Sequence, residues 1–81
     1  NATMSNAPAR VTVTYRVQVT EIFYLPKKAK STHLLKHKYK SLSYAQGKAT
    51  ALTHKEHDEN GKLVRESKAV VISHTASTPL H

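Results

Sequence analysis

The sequence predicts a small α+β domain with the order β-α-β-β: a three-stranded sheet carrying one amphipathic helix on one face. Three observations lead there. Residues 11–25 alternate apolar and polar side chains. Residues 31–46 place their apolar side chains along one helical arc. Asn60-Gly61 sits between two runs whose charges match across a hairpin.

The first element is the clearest. In "VTVTYRVQVTEIFYL", Val11, Val13, Tyr15, Val17, Val19, Phe23 and Leu25 share one face, and Thr12, Thr14, Arg16, Gln18 and Thr20 share the other. Period two with β-branched and aromatic residues predicts a half-buried strand. Glu21 interrupts the apolar face, which suggests a bulge or bend there; a buried functional carboxylate is the sharper alternative. Pro26 ends the strand, because it has no amide to give a ladder.

The helix is predicted over residues 31–46, "STHLLKHKYKSLSYAQ". At 100° per residue, Leu34, Leu35, Tyr39, Leu42 and Ala45 fall within about 140°, with Lys38 and Gln46 intruding. His33, Lys36, His37, Lys40 and Tyr44 take the other side. Ser31 is placed as N-cap and Gly47 as terminator. The first turn lacks the acidic residues that the helix dipole favours.

The hairpin is predicted over residues 48–73. Asn-Gly favours a two-residue type I′ loop, in which both central residues take positive φ. That register sets Glu59 against Lys62, Glu56 against Arg65 and Lys55 against Glu66, then Leu52 against Ala69 and Ala51 against Val70. Residues 1–9 read as a flexible arm, 10–74 as the single domain and 75–81 as a flexible tail. Asn1-Ala2-Thr3 matches a glycosylation sequon, read as chance on a terminal arm. A strand of fifteen residues extends about 50 Å, whereas a sixteen-residue helix covers about 24 Å. The overhang predicts a homodimer, by strand pairing or sheet packing.

Composition narrows the function. The 81 residues include no cysteine, which removes disulfides and thiolate metal sites. No apolar run approaches the length of a membrane span, and no signal-peptide pattern opens the sequence. The compartment is not named by the residues; the cytoplasm is the default expectation. Thirteen Lys and Arg oppose five Asp and Glu, a net charge of +8. Chains this basic meet polyanions: nucleic acid, an acidic protein or an anionic surface. Between Glu21 and Glu56 there is no carboxylate, while Lys27, Lys28, Lys30, Lys36, Lys38, Lys40 and Lys48 all lie in that interval. Segregated charge favours a binding surface over general solubility.

The function expected is therefore nucleic-acid binding, to DNA or RNA, through Lys27, Lys28, Lys30, Lys36 and Lys40, with Tyr44 stacking on a base or sugar. Lysine far outnumbers arginine, so contacts to the phosphate backbone with low sequence specificity are expected. An interaction module (a phage, plasmid or secretion-system accessory, or an inhibitor) docking on an acidic protein is the first alternative. A small metal-independent ribonuclease or toxin is the second; its candidate acid–base residues are His54 and His57 near Glu56 and Asp58. Pleat geometry puts those two histidines on opposite faces, so the balance is against an enzyme. His33 and His37 are spaced as helical metal ligands, but a pair without a third ligand does not make a site. No cofactor is expected: the two glycines form no phosphate loop.

Overall fold

A computed structural model describes residues 9–79. Most of the expected N-terminal arm, the sequon included, lies outside the described residues, as do positions 80 and 81. The fold is α+β, with one helix and a four-stranded antiparallel sheet. The elements are β1 (Ala9–Phe23), β2 (Ala29–Leu34), α1 (Leu42–Leu52), β3 (His54–His57) and β4 (Leu63–Pro79), and the sheet order is β2-β1-β4-β3. The sheet thus has four strands, where three were expected, and the chain order is β-β-α-β-β.

β1 keeps the predicted alternation. Val17 and Val19 are buried on the face that α1 covers, and Val17 is the largest fully buried side chain. Pairing with β4 runs unbroken from Ala9↔Pro79 to Phe23↔Arg65. The expected bulge at Glu21 is therefore absent. The Glu21 carboxylate stays on the apolar face because Arg65 Nη2 donates to it at 3.1 Å.

The predicted helix over 31–46 is overturned as far as residue 41; only residues 42–46 are helical, as the start of α1. Residues 29–34 are the edge strand β2, paired from Phe23↔Ala29 to Gln18↔Leu34. Every residue of β2 is exposed, so backbone pairing, not an apolar face, holds it. The chain then follows β1 further: Leu35 N donates to Val17 O at 2.9 Å, and Tyr39 and Tyr15 exchange two 2.8 Å bonds. Four steps along this outer segment answer two on β1, so Lys36, His37 and Lys38 form a bulge. Leu35 and Tyr39 do reach the core, as the helical arc required, but from extended chain.

The helix starts where Ser41 caps it, Oγ accepting from Tyr44 N at 3.4 Å. Ser31, the expected cap, lies in β2. Gly47, the expected terminator, lies inside α1 on its exposed side. Ala45 and Ala49, one turn apart, are the buried residues of α1 and let the helix lie close to the sheet. Thr53 ends it: its Oγ1 donates to Ala49 O at 2.8 Å and accepts from Ala69 N at 3.0 Å, tying the helix terminus to β4.

The hairpin keeps Lys55↔Glu66 and Glu56↔Arg65, then slips at Glu56/His57, so that His57 faces Leu63. Its turn is not type I′. Only Gly61 has positive φ, at 81°. Gly61 N donates to Asp58 O, and Asp58 Oδ1 accepts from Asn60 N and Lys62 N, each at 2.9 Å. This is a longer loop closed by an Asx turn, with glycine in the left-handed position. The Glu59–Lys62 pair is lost. Ala51 and Leu52 belong to α1, so they do not pair with Val70 and Ala69 as strand residues, although Leu52 and Ala69 still pack on the same core. Thr75–Pro79, expected in a flexible tail, continue β4 opposite Ala9–Val13.

The molecule measures 69 × 23 × 19 Å. A body holds β2, α1, β3 and the adjoining halves of β1 and β4; beyond it, β1 and β4 project as a two-stranded ribbon.

Candidate nucleic-acid interface

The helix covers one face of the sheet and leaves the other open. Pairing assigns side chains to that open face. Thr20 and Thr32, partners in β1 and β2, meet hydroxyl to hydroxyl at 3.1 Å there. By the two-residue period, Arg16, Ile22, Lys30, Lys55, Glu66, Lys68, Val70 and Ile72 belong to the same side.

Glu66 organises its centre. Tyr24 Oη donates to Glu66 Oε1 at 2.7 Å, and Lys68 Nζ lies 3.8 Å from Oε2. Lys55 is the β3 partner of Glu66, and Lys28 Nζ stands 5.8 Å from the centre of the Tyr24 ring. The Tyr24 hydroxyl, and then Lys68, Lys55 and Lys28, hold the Glu66 carboxyl below the usual carboxylate range. The same bond raises Tyr24 above an ordinary tyrosine. Three lysines from three segments thus surround one carboxylate and one aromatic ring, and Lys30 adds a fourth cation on β2. Glu66 is the only carboxylate that the strands place on this face among the described residues. Farther along, Arg16, Lys38 and His74 line a groove of about 290 Å³ with Leu34 and Ile72. Arg16 is oriented there by its Nε, which donates to Leu35 O at 2.8 Å.

The expected residues are dispersed by this arrangement. Lys28 and Lys30 belong to the open face, with Lys27 beside them in the β1–β2 loop. Lys36 is on the bulge and Lys40 just before α1, along the outer margin of the sheet. Tyr44 is 75% exposed on α1; the helix lies on the opposite side of the sheet from Lys30. Lys36, Lys40 and Tyr44 therefore do not share one helical face as expected. Tyr24, Arg16, Lys55 and Lys68, which share the open face, were not among the expected residues. The hairpin register already pointed to Lys55 beside Glu66, and Lys68 follows two residues on.

The histidine candidates also separate. His33 is in β2 and His37 in the bulge, its ring 4.3 Å from that of Tyr39; without a helix the ligand spacing of four loses its meaning. No group of three metal-binding side chains occurs among the described residues. His54 Nε2 is 3.4 Å from both Glu56 Oε2 and Arg65 Nη1. Arg65 is engaged by Glu21 and Glu56 and stacks 5.6 Å from the Phe23 ring centre. The cation that a phosphate would need is thus held by two carboxylates. His57 lies past the register slip, at the end of β3. This cluster reads as an ion-pair network that closes the helix-side face beyond α1.

No described helix is long and apolar enough to cross a membrane. No protein-family model, curated protein or solved structure matches the chain.

Proposed function

We propose that the chain binds nucleic acid across its open sheet face, through phosphate-backbone contacts of low sequence specificity, and that it does so as a homodimer. The observation that carries the reading is the convergence of Lys28, Lys55 and Lys68 around the Tyr24–Glu66 pair, with Lys30 alongside. Lysines neutralise phosphates as point charges and read little sequence. Tyr24 and the apolar side chains Ile22, Val70 and Ile72 offer surface for bases or sugars between the cations. Lys27, Lys36 and Lys40 extend the positive field along the adjoining margin.

The test is binding to single-stranded DNA and RNA over a range of salt. Four phosphate contacts on a single strand give a slope of log K against log salt of about −3. The double reversal Lys28→Glu/Lys68→Glu is expected to weaken binding at least about tenfold and to flatten that slope. Lys48→Glu, on the helix, serves as a charge control with a smaller effect. Wild-type affinity in the double reversal, for both DNA and RNA, would sink the proposal.

A further inference from the structure

The two margins of the sheet differ in kind. Lys27, Lys28, Lys30, Lys36, Lys38 and Lys40 all lie on the segment that flanks β1 from Tyr15 to Phe23, while β1 from Ala9 to Thr14 is a shorter open edge without a lysine. Lysines on an edge discourage another strand from pairing there. Past Lys68, the margin of β4 beyond β3 carries none. From Val71 to Thr78 it reads "VISHTAST", without a lysine, a carboxylate or a proline.

Its hydrogen-bonding groups can be assigned. Tyr24 N donates to Val64 O, while Tyr15 and Val17 bond toward the β2 side. Even-numbered residues of β4 therefore face β1, and odd-numbered ones face outward. Ala69 N already donates to Thr53 Oγ1. The outward amides and carbonyls of Val71, Ser73, Thr75 and Ser77 have no partner among the described residues. A two-stranded ribbon is at best marginally stable alone in water, and this one extends beyond the cover of α1.

We infer that this edge pairs antiparallel with the same edge of a second copy, about a two-fold axis at His74. The register follows from the groups present. Centring on His74 sets Val71 against the copy's Ser77 and Ser73 against its Thr75, so all four outward residues of each chain are used. Centring one position earlier requires Ala69, which Thr53 occupies. Centring one later requires an amide from Pro79, which has none. A second copy is the occupant because the edge is its own complement, and because the charge stays apart. Each body lies about eight residues, or roughly 26 Å, from the axis. The lysine-rich bodies therefore sit far beyond the Debye length of about 8 Å at physiological salt. The inference rests on the homodimer part of the proposal above and is independent of nucleic acid.

The experiment is sedimentation equilibrium of the full chain, with two variants. Wild type is expected to have the mass of a dimer. Ser73→Pro removes an outward amide and leaves every bond to β1 in place; it is expected to run as a monomer with unchanged circular dichroism. His74→Cys places two thiols at a directly opposed, non-hydrogen-bonded pair, within disulfide reach. Since the chain has no other cysteine, mild oxidation is expected to give a covalent dimer. Ser77→Cys, about 20 Å from its symmetry mate, is expected to give none. A monomeric wild type at all concentrations overturns both the edge and the homodimer. A dimer that survives Ser73→Pro while His74→Cys fails to cross-link overturns the edge and leaves the homodimer on another surface.

Discussion

Val17 and Val11 are the same residue type on the same face of the same strand, yet Val17 is fully buried and Val11 is 63% exposed. The difference is what covers them. α1 and the segment carrying Leu35 and Tyr39 lie over the body, while the ribbon has no cover among the described residues. An eleven-residue helix spans only about 16 Å, against the roughly 50 Å of β1. Alternation therefore specifies which way a side chain points; the length of the neighbouring element decides whether it is buried.

This contrast is most sharply tested by truncating both valines. Val17→Ala removes buried methyl groups from a thin core and is expected to cost about 2 kcal/mol. Val11→Ala is expected to stay within about 0.5 kcal/mol. Urea melts with equal m-values would establish this, and equal costs would break the distinction between body and ribbon.

A smaller effect tests the seam between helix and sheet. Thr53→Ala deletes the bond to Ala49 O and leaves Ala69 N without its acceptor, at an expected cost of about 1 kcal/mol. Thr53→Ser restores the hydroxyl and most of the stability. A neutral Thr53→Ala would mean that α1 is held by its alanine face alone.

The smallest effect concerns acid acting on the carboxylates, which belong to the body. All five carboxylates lie between Glu21 and Glu66, and the ribbon carries none. Because Glu66 titrates below its ordinary value of 4.5 in the folded chain, its ionised form stabilises the fold above that value. The stabilisation is lost as pH falls through the lower folded value. Tyr24→Phe removes the first cause of the depression. The variant is expected to be slightly less stable than wild type at neutral pH and to converge with it in acid. A constant difference across the range would show that Tyr24 acts by packing only.

The legible parts of the sequence were those where one signal dominated. β1 declared itself through strict alternation and shifted by only two residues. The hairpin declared itself through Glu56–Arg65 and Lys55–Glu66, which survive in the structure. β2 was hidden because an edge strand held by its backbone, with every side chain exposed, needs no apolar pattern. Leu34, Leu35 and Tyr39 have helical spacing, but Leu35 and Tyr39 reach the core through a bulge instead. The true helix was hidden by its residues: Ala45 and Ala49 are weakly apolar, and Gly47 looked like a terminator. The turn was misread because Asn60 keeps negative φ while the Asp58 side chain closes the loop. The basic face was half legible. Charge segregation singled out Lys28 and Lys30 as candidates, but placing them on one face with Lys55 and Lys68 required knowing which strands are neighbours.

The lysine margin has a consequence for how far any assembly can go. A sheet with two open sides can add strands without limit, as fibres do. Charge closes only the β2 side of the body; the ribbon keeps both of its edges, β4 from Val71 to Thr78 and β1 from Ala9 to Thr14, free of lysine. The six lysines between Lys27 and Lys40 would therefore act as a stop for strand addition on the β2 side of the body, whatever else they contact.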